Sequence, residues 1–152
     1  MKGAVCVGTL ARKNKGYIII AGCGYLGVSL AESLAGQEVF IIDSNEDAFG
    51  KLPRSFGGEG IIGDAVEVFA TNSIHIENAA AVISATGNDN TNILVAHIAK
   101  SYYNIPYVTA RLHDPQRESV CRELDIDIIY PDRVTAKAIN DFLHVNINVK
   151  GF

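Results

Sequence analysis

Cysteine is scarce in this chain, and its three cysteines do not pair by spacing. Cys6, Cys23 and Cys121 form no C-x-x-C motif, and three thiols are too few for the disulfide framework of a small secreted protein. This usage is typical of a protein of the reducing cytosol. Because Cys23 lies inside a glycine-rich turn, we expect it to be a small filler rather than a reactive thiol.

Long apolar runs are absent as well. The sequence contains no stretch of 18 or more apolar residues, the length that a membrane-spanning helix requires, and no segment resembles the apolar part of a signal peptide. We therefore expect a cytoplasmic protein that reaches the inner face of a membrane only through a partner.

Basic side chains are outnumbered by acidic ones. There are 13 Lys and Arg residues against 17 Asp and Glu, which gives a formal net charge of −4 and a pI near 5.5. This balance offers no general attraction to nucleic acid or to an anionic membrane. Residues 1–16 differ, since they contain four basic residues and no acid. We interpret them as a solvated arm or a non-native remnant, in which residues 5–7 could form a short edge strand.

The length of 152 residues predicts one domain, large enough to bury a core but too small to add a separate catalytic lobe. We assign residues 17–144 to this domain and residues 145–152 to a tail. The size argues against a complete dehydrogenase. The sequence also contains no G-x-S-x-G, H-E-x-x-H or P-loop lysine motif, so serine hydrolases, zinc proteases and NTPases have no support.

A glycine motif follows the first apolar run, residues 17–21. Gly22, Gly24 and Gly27 have G-x-G-x-x-G spacing, and leucines then recur every four residues, as in a helix. Gly22 would let the chain turn sharply, Gly24 would let a diphosphate approach the backbone, and Gly27 would let the helix pack close to the strand. Phosphates would bind the free N–H groups at the helix N-terminus. The alternative is a tight turn that binds nothing.

A carboxylate lies at the distance from this motif that ribose binding requires. A second apolar run ends on Asp43, 21 residues after Gly22, where a carboxylate can accept hydrogen bonds from both ribose hydroxyls. Because a 2′-phosphate would meet its negative charge, the sequence favours NAD(H) or an adenine nucleotide (AMP, ADP or ATP) and disfavours NADP.

Short apolar runs alternate with helical segments along the rest of the chain. This alternation is typical of βαβ units, so we predict an α/β fold with a Rossmann-like, doubly wound, mainly parallel six-stranded sheet and helices on both faces. Strands are predicted at residues 17–21, 39–42, 60–62, 80–85, 107–110 and 126–130. Helices are predicted after the glycine motif and at residues 46–52, 66–72, 90–103, 115–124 and 132–144.

Polar residues follow the third, fourth and fifth predicted strands, where a doubly wound sheet binds its ligand. Asp64 would face the adenine end of a nucleotide, while Thr86 and Gly87 would cover its middle. Arg111 is the one cation at a strand end that we expect to point at phosphates, for which its planar fork is suited.

Structural roles remain open for these positions. Asp64 would serve equally well as the cap of the helix that follows it, and Asp89 or Asn90 as the cap of the long helix predicted at 90–103. Arg111 would serve equally well as the partner of an acid.

Six segments together resemble a known family. They are residues 22–27 (GCGYLG), 41–43 (IID), 63–65 (GDA), 83–92 (ISATGNDNTN), 109–115 (TARLHDP) and 127–131 (DIIYP). In this order they resemble the nucleotide-binding half of the RCK domain, the TrkA N-terminal type that regulates potassium channels and transporters. The resemblance spans residues 17 to about 143, and the fourth segment is the most distinctive.

The resemblance implies a regulator rather than an enzyme. Such domains bind NAD(H) or adenine nucleotides, form homodimers and often rings, and convert ligand occupancy into movement of a membrane-embedded potassium transporter or channel subunit. The glycine turn would hold phosphates, Asp43 the ribose, and Asp64 and Ala65 the adenine. Thr86, Gly87 and Arg111 would lie near the phosphates or near the second half of a dinucleotide. No catalytic or metal-binding residue is predicted. The predicted nucleotide-binding residues are Gly22, Cys23, Gly24, Tyr25, Leu26, Gly27, Asp43, Ser44, Asp64, Ala65, Ala85, Thr86, Gly87 and Arg111.

The chain departs from the family pattern in two ways. Many members have Arg where this chain has Tyr25, and there the Arg helps to hold the terminal phosphates of ADP or ATP. Tyr25 therefore leaves NAD(H) or AMP better placed than ATP. The family's second ligand-binding lobe has no counterpart in the sequence, so we expect a separate polypeptide to supply it, or a stand-alone or excised nucleotide domain.

Two other classes of protein share part of this pattern. An NAD-dependent oxidoreductase would need a proton donor beside the nicotinamide, and His113 is the one histidine predicted at a strand's carboxyl end, with no Tyr-x-x-x-Lys pair to accompany it. An assembly subunit with a decayed nucleotide site would not need the three motif glycines and Asp43, all of which are intact.

Two helices are candidates for a self-association face, namely the helix predicted at 90–103 and the terminal one. Val134, Ala138 and Phe142 form one stripe of the terminal helix. Such a stripe either associates with a second chain or packs against the protein's own core.

Overall fold

The computed structural model describes residues 16–147. Most of the predicted N-terminal arm, with its edge strand at 5–7, and the last residues of the predicted tail lie outside this range. The strands are β1 (Ile18–Ala21), β2 (Val39–Asp43), β3 (Glu59–Ile62), β4 (Ala81–Ser84), β5 (Tyr107–Arg111) and β6 (Asp127–Ile129). All six coincide with predicted strands to within two residues at either end.

The six strands form one sheet in the order β3-β2-β1-β4-β5-β6, and every pair is parallel. The predicted doubly wound Rossmann-like fold is therefore confirmed. β1 is central and buried at every residue, with Ile20 aligned to Ile41 on one side and to Ile83 on the other. The chain moves outward from β1 to β3 and then returns to β4. This reversal opens a crevice between the carboxyl ends of β1 and β4.

Helices cover both faces of the sheet. They are α1 (Tyr25–Ser33), α2 (Ala65–Thr71), α3 (Asp89–His97) and α4 (Glu118–Glu123), and a further helix, α5 (Pro131–Ile147), follows β6. Successive β1 residues point to opposite faces. Ile18 and Ile20 pack under α1 and a 3₁₀ helix at Glu46–Lys51, while Ile19 and Ala21 belong to the larger core under α2, α3 and α4.

Three of the predicted helices are wholly or partly of a type other than α. The segment at Glu46–Lys51 is 3₁₀, closed by Leu52 N–H donating to Phe49 O. The helix predicted at 90–103 ends in a π-helical turn at Ile98–Tyr102, and the one predicted at 115–124 begins with a 3₁₀ turn at Pro115–Arg117. These differences arise because short-range turn bonds, rather than the apolar pattern, choose between helix types.

The cap of α3 also differs from the prediction of Asp89 or Asn90. Asn88 is the N-cap, since its side-chain oxygen accepts a hydrogen bond from Thr91 N–H at 3.0 Å. Asp89 instead accepts hydrogen bonds from the backbone N–H groups of His113 and Asp114. The helix begins one residue earlier than predicted. Through Asp89, its first turn connects the loop after β4 to the loop after β5.

α5 does not pack against the core, so that alternative is wrong. None of its residues is buried, and Val134, Phe142 and Val145 are 57%, 62% and 83% exposed. Val134, Ala138, Phe142 and Val145 recur at spacings of four, four and three residues, which places them on one side of the helix. These four residues form an apolar stripe, the α5 stripe.

Within residues 16–147, no helix is both long and apolar enough to cross a membrane.

Candidate nucleotide-binding site

A cleft of about 510 Å³ opens at the carboxyl ends of the central strands. All of the residues predicted to bind a nucleotide line it, except Cys23 and Gly27. Four lining residues were not among those predicted: Ile42, Gly63, Asn88 and Thr91. The complete lining is Gly22, Gly24, Tyr25, Leu26, Ile42, Asp43, Ser44, Gly63, Asp64, Ala65, Ala85, Thr86, Gly87, Asn88, Thr91 and Arg111.

The motif glycines differ in what surrounds them. Gly22 has φ +109°, and a Cβ there would lie 2.7 Å from Ala85 O. A Cβ on Gly27 would lie 2.0 Å from Gly22 O, so the helix approaches the turn too closely for any side chain. A Cβ on Gly24, by contrast, would meet nothing within 4 Å. Gly22 and Gly27 therefore shape the turn, while Gly24 leaves open space on the cleft wall.

Cys23 is excluded from the cleft by the same turn. Its side chain is fully buried, and its thiol donates a weak hydrogen bond to Ala48 O at 3.5 Å. Burial, and then the negative charge of Asp43, raise the pKa of the thiol, which the ammonium of Lys51 partly offsets. The expectation of a filler rather than a reactive thiol agrees with this environment.

Asp43 lies at the end of β2 with both carboxylate oxygens engaged. Oδ2 accepts a hydrogen bond from Cys23 N–H at 2.8 Å, and Oδ1 accepts one from Asn45 N–H at 2.9 Å. Each carboxylate oxygen has a further lone pair for a hydroxyl donor. The carboxylate is therefore held in one orientation at the rim of the cleft and can still accept hydrogen bonds from a diol.

Asp64 combines the two roles that the sequence left open. Its Oδ1 accepts a hydrogen bond from Glu67 N–H at 3.0 Å, which caps α2, and its side chain also lines the cleft. The neighbouring strand ends are joined by Gly63 N–H donating to Asp43 O at 3.0 Å. Both acids thus lie at the β2–β3 end of the cleft.

Arg111 lies at the opposite end, where β5 ends. Its Nη2 donates to Thr86 O at 3.1 Å, and its Nε is buried without a hydrogen-bond partner. Among residues 16–147, no carboxylate lies within ion-pair distance of Arg111, so the alternative of an acid partner is not realised there. An unpaired guanidinium on a cleft wall suits an anionic ligand.

Tyr25 projects from the first residue of α1 and is 86% exposed. The ammonium of Lys51 lies over its ring, 5.1 Å from the centroid. This distance is within the range of a cation–π interaction. A cation therefore lies beside the position at which many family members have Arg, although it comes from a different element.

Charge in the cleft is divided between its two ends. Asp43 and Asp64 lie at one end and Arg111 lies at the other, with the N–H groups of the first α1 turn between them. A ligand that fits this distribution presents neutral hydrogen-bond donors to the acids and negative charge to the middle and the far end. A ribose diol attached to a phosphate chain meets both requirements.

His113 does not line this cleft. It is exposed and belongs to a second, shallower cavity of about 330 Å³, together with Asp89, Asp114 and Arg117. In the part of the chain that the structure describes, no group of three or more His, Cys, Asp and Glu side chains is arranged to hold a metal ion.

Comparison with known proteins agrees with the resemblance seen in the sequence. Residues 18–131 match the family model of the TrkA-N domain. The chain is 34% identical over 122 residues to the Trk system potassium uptake protein TrkA of Streptomyces coelicolor, covering 79% of this chain and 55% of that protein. It is 30% identical over 123 residues to the TrkA homolog of Methanothermobacter thermautotrophicus, covering 79% and 56%. The chain thus spans just over half the length of these relatives.

Solved structures with the same fold include three of interest. The TrkA-N domain of the inner membrane protein ybaL from Escherichia coli has a TM-score of 0.72 at 20% identity, covering 84% of this chain and 96% of that one. The GsuK channel bound to NAD has a TM-score of 0.66 at 17% identity, covering 81% and 23%. The Kef CTD of Shewanella denitrificans in its AMP-bound form has a TM-score of 0.64 at 17% identity, covering 86% and 82%. At these identities the likeness shows the fold alone.

Proposed function

The chain belongs to the TrkA-N domain family, and from this premise we propose that it is a nucleotide-sensing regulatory subunit or domain of a potassium uptake or channel system. Its ligand is NAD(H) or an adenine nucleotide, and occupancy of the cleft gates a membrane partner. The observation that carries this proposal is the cleft itself, which Gly24 and Asp43 both line and in which Gly24 leaves the backbone open to a phosphate.

The charges of the cleft support a preference among adenine nucleotides. Asp43 would repel a 2′-phosphate, so NADP is disfavoured. The first turn of α1 would bind the first phosphates, and Arg111 would attract the charge of a diphosphate. Because Tyr25 provides no cation of its own, the long triphosphate of ATP has less support than NAD(H) or AMP. Two solved structures with this fold, the GsuK channel and the Kef CTD, are of proteins bound to NAD and to AMP, and we extend that chemistry to this chain.

The cleft gives little support to the alternative, an NAD-dependent oxidoreductase. Hydride transfer to or from a substrate requires an acid or base within hydrogen-bond reach of the reacting group. The acid–base side chains that line the described cleft are Tyr25 at the start of α1 and, at the end proposed for the ribose, Asp43 and Asp64. No histidine or lysine is among its lining residues, and His113 lies in the neighbouring cavity. A sensor needs only a ligand that binds differently in two states.

Assembly with other chains is part of the proposal. A helix of 17 residues without a buried side chain has little stability of its own in water, so the α5 stripe calls for a partner. We propose a second copy of this chain, which gives a homodimer or a higher ring. The second ligand-binding lobe of the family would come from another polypeptide or from another part of a longer chain. The complex would be cytoplasmic and peripheral to the membrane through its transporter partner.

A thermal-shift panel with NAD, NADH, AMP, ADP, ATP and NADP tests the ligand part of this proposal. A ligand at about 100 times its dissociation constant adds roughly 2.7 kcal/mol to the free energy of unfolding, which is several degrees for a domain of this size. Stabilisation by one of the nucleotides without a 2′-phosphate, and not by NADP, would support the sensor. If none of them stabilises the protein, the glycine turn is only a tight turn that binds no nucleotide, and the proposal fails.

Gating requires a separate measurement. Potassium flux through a transporter subunit of the Trk type would be compared in vesicles with and without the purified protein, at saturating and at zero nucleotide. A flux that depends on the protein and on the nucleotide together is the expected result. A flux that ignores the nucleotide would leave a binding protein without a gating role.

A further inference from the structure

Asn92 is a fully buried polar residue in the first turns of α3. Its Oδ1 accepts hydrogen bonds from the backbone N–H of Thr86 at 2.8 Å, from Thr86 Oγ1 at 2.6 Å and from Ser84 Oγ at 3.2 Å. Its Nδ2 donates to Thr86 O at 3.0 Å and to Arg111 O at 2.9 Å. Both ends of one amide are therefore used to join the end of β4 to the end of β5.

A buried amide costs free energy to desolvate unless its hydrogen bonds are made, and those of Asn92 all run to the ends of β4 and β5. Its contribution to stability therefore comes from satisfying groups of Thr86 and Arg111 rather than from apolar packing, which Val95 and Ala96 of the same helix provide. What an apolar residue cannot do is fix the two strand ends at one separation. The residues that it holds, Thr86 and Arg111, both line the nucleotide cleft, whereas Asn92 does not.

The bonds form a closed ring. Arg111 Nη2 donates to the same carbonyl, Thr86 O, that accepts from Asn92 Nδ2. The guanidinium is therefore placed by a carbonyl whose own position Asn92 sets, and the backbone of Arg111 is held by the same amide. If Asn92 is removed, Thr86 and the guanidinium lose their common anchor.

We propose that Asn92 is the positioning residue for the phosphate-binding end of the cleft, and that it acts through Thr86 and Arg111. The inference rests on the proposed function, because it concerns the same nucleotide. It implies that the two ends of the cleft differ in how strongly they depend on Asn92. Asn92 makes no hydrogen bond to Asp43 or Asp64, which are held instead by backbone N–H groups of the glycine turn, of Asn45 and of α2. The adenosine end is independent of Asn92.

The test compares two ligands that differ only in phosphate. Adenosine and ADP are titrated by calorimetry into the wild-type chain, into Asn92→Ala and into Val95→Ala. Val95 is also fully buried in α3, so Val95→Ala controls for the loss of core packing in the same helix. We expect Asn92→Ala to weaken ADP binding roughly tenfold and adenosine binding by less than about twofold, and Val95→Ala to leave the ratio of the two affinities unchanged.

An unchanged ADP-to-adenosine ratio in Asn92→Ala would overturn the proposal, because Asn92 would then be a structural residue only. If Asn92→Ala does not fold, Asn92→Leu keeps the side-chain volume without the amide, and the same ratio decides. Loss of both affinities to the same extent would also count against a role confined to the phosphate end.

Amide hydrogen exchange tests, without a ligand, the hydrogen bonds by which Asn92 joins the ends of β4 and β5, which we call the Asn92 clamp. In Asn92→Ala we expect faster exchange at Thr86, whose N–H donates to Asn92, and at Leu112, the backbone position next to the clamped Arg111, but unchanged exchange in the glycine turn. Uniformly faster exchange, as expected for Val95→Ala, would contradict the clamp. If the wild-type chain binds none of the nucleotides of the thermal-shift panel, the proposed function fails, while the exchange measurement still decides whether Asn92 holds the two strand ends together.

Discussion

The carboxylate of Asp43 accepts a hydrogen bond from the backbone N–H of Cys23 at 2.8 Å, so the end of β2 is tied to the glycine turn that follows β1. This bond holds the Asp43 carboxylate in one orientation at the cleft before a ribose binds. Binding costs less when such a group is already oriented in the protein. It also gives Cys23 a role through its backbone, while its side chain remains buried.

Replacing Asp43 should weaken nucleotide binding. We expect Asp43→Ala to lose roughly 1.5 to 3 kcal/mol of binding free energy, as for hydrogen bonds to a charged group, and NADP to be disfavoured less strongly. Because Asp43→Ala also frees Cys23 N–H, Asp43→Asn is measured beside it, since an amide oxygen can still accept that bond. Asp47→Asn, an exposed carboxylate outside the cleft lining, is the control. Unchanged affinity of Asp43→Ala in calorimetry would remove Asp43 from the site.

Substitution by alanine should affect ligand binding at one glycine of the motif and stability at another. Gly24→Ala should fold normally, because its Cβ would meet no atom within 4 Å and its φ is −80°, but it should bind phosphate-containing ligands less tightly. Gly27→Ala should cost stability, about 1 to 3 kcal/mol or more, because its Cβ would lie 2.0 Å from Gly22 O. Melting temperature and calorimetry separate the two effects. Wild-type affinity in Gly24→Ala would mean that no ligand approaches the backbone there.

Tyr25→Arg should improve ATP binding relative to AMP. The side chain projects from the start of α1 beside the ammonium of Lys51, so an Arg there would add a second cation near the terminal phosphates. Lys51→Gln should shift the same ratio toward AMP, because it removes the ammonium and keeps a side chain of similar length. Competition binding of ATP and AMP measures both variants. Equal gains for the two nucleotides in Tyr25→Arg would show that residue 25 does not face the phosphates.

Much of the fold could be predicted because its signals are local. Buried parallel strands produce apolar runs, and glycine or polar residues mark their ends, so all six strands and the sheet class were identified. Helix types were not. The 3₁₀ segment at Glu46–Lys51 and the π turn at Ile98–Tyr102 depend on which carbonyl each N–H reaches, and an apolar pattern contains no such information.

The sequence motifs predicted most of the residues that line the cleft. They did not predict the role of residues that do not line the cleft but hold lining residues in place. Gly27 and Cys23 belong to the motif, but Gly27 is needed for close helix packing and Cys23 contributes its backbone. Asn92 lies in segment 83–92, the most distinctive of those that resemble the family, but no role was predicted for it, because a polar residue in a helical segment normally indicates a solvated face. Only the tertiary structure shows that this face is turned toward the ends of β4 and β5.

The exposed α5 stripe leads to a prediction about assembly. Phe142 is 62% exposed and Val145 is 83% exposed on a helix without a buried residue, and burying such a stripe against a second copy would remove apolar surface from water. We expect light scattering of the purified protein to give at least twice the monomer mass of 16.3 kDa. Phe142→Asp should reduce this mass toward the monomer, because it places a charge in the middle of the stripe.

Asn140→Asp is the matched control for this measurement. Asn140 is exposed on the same helix, two residues before Phe142 and on the side opposite to the stripe, so it introduces the same charge without entering the proposed contact. The control should keep the mass of the wild type. If both variants dissociate, general charge repulsion is responsible rather than the stripe. If the wild type is a monomer at every concentration, a second copy does not cover α5, and the homodimer is wrong.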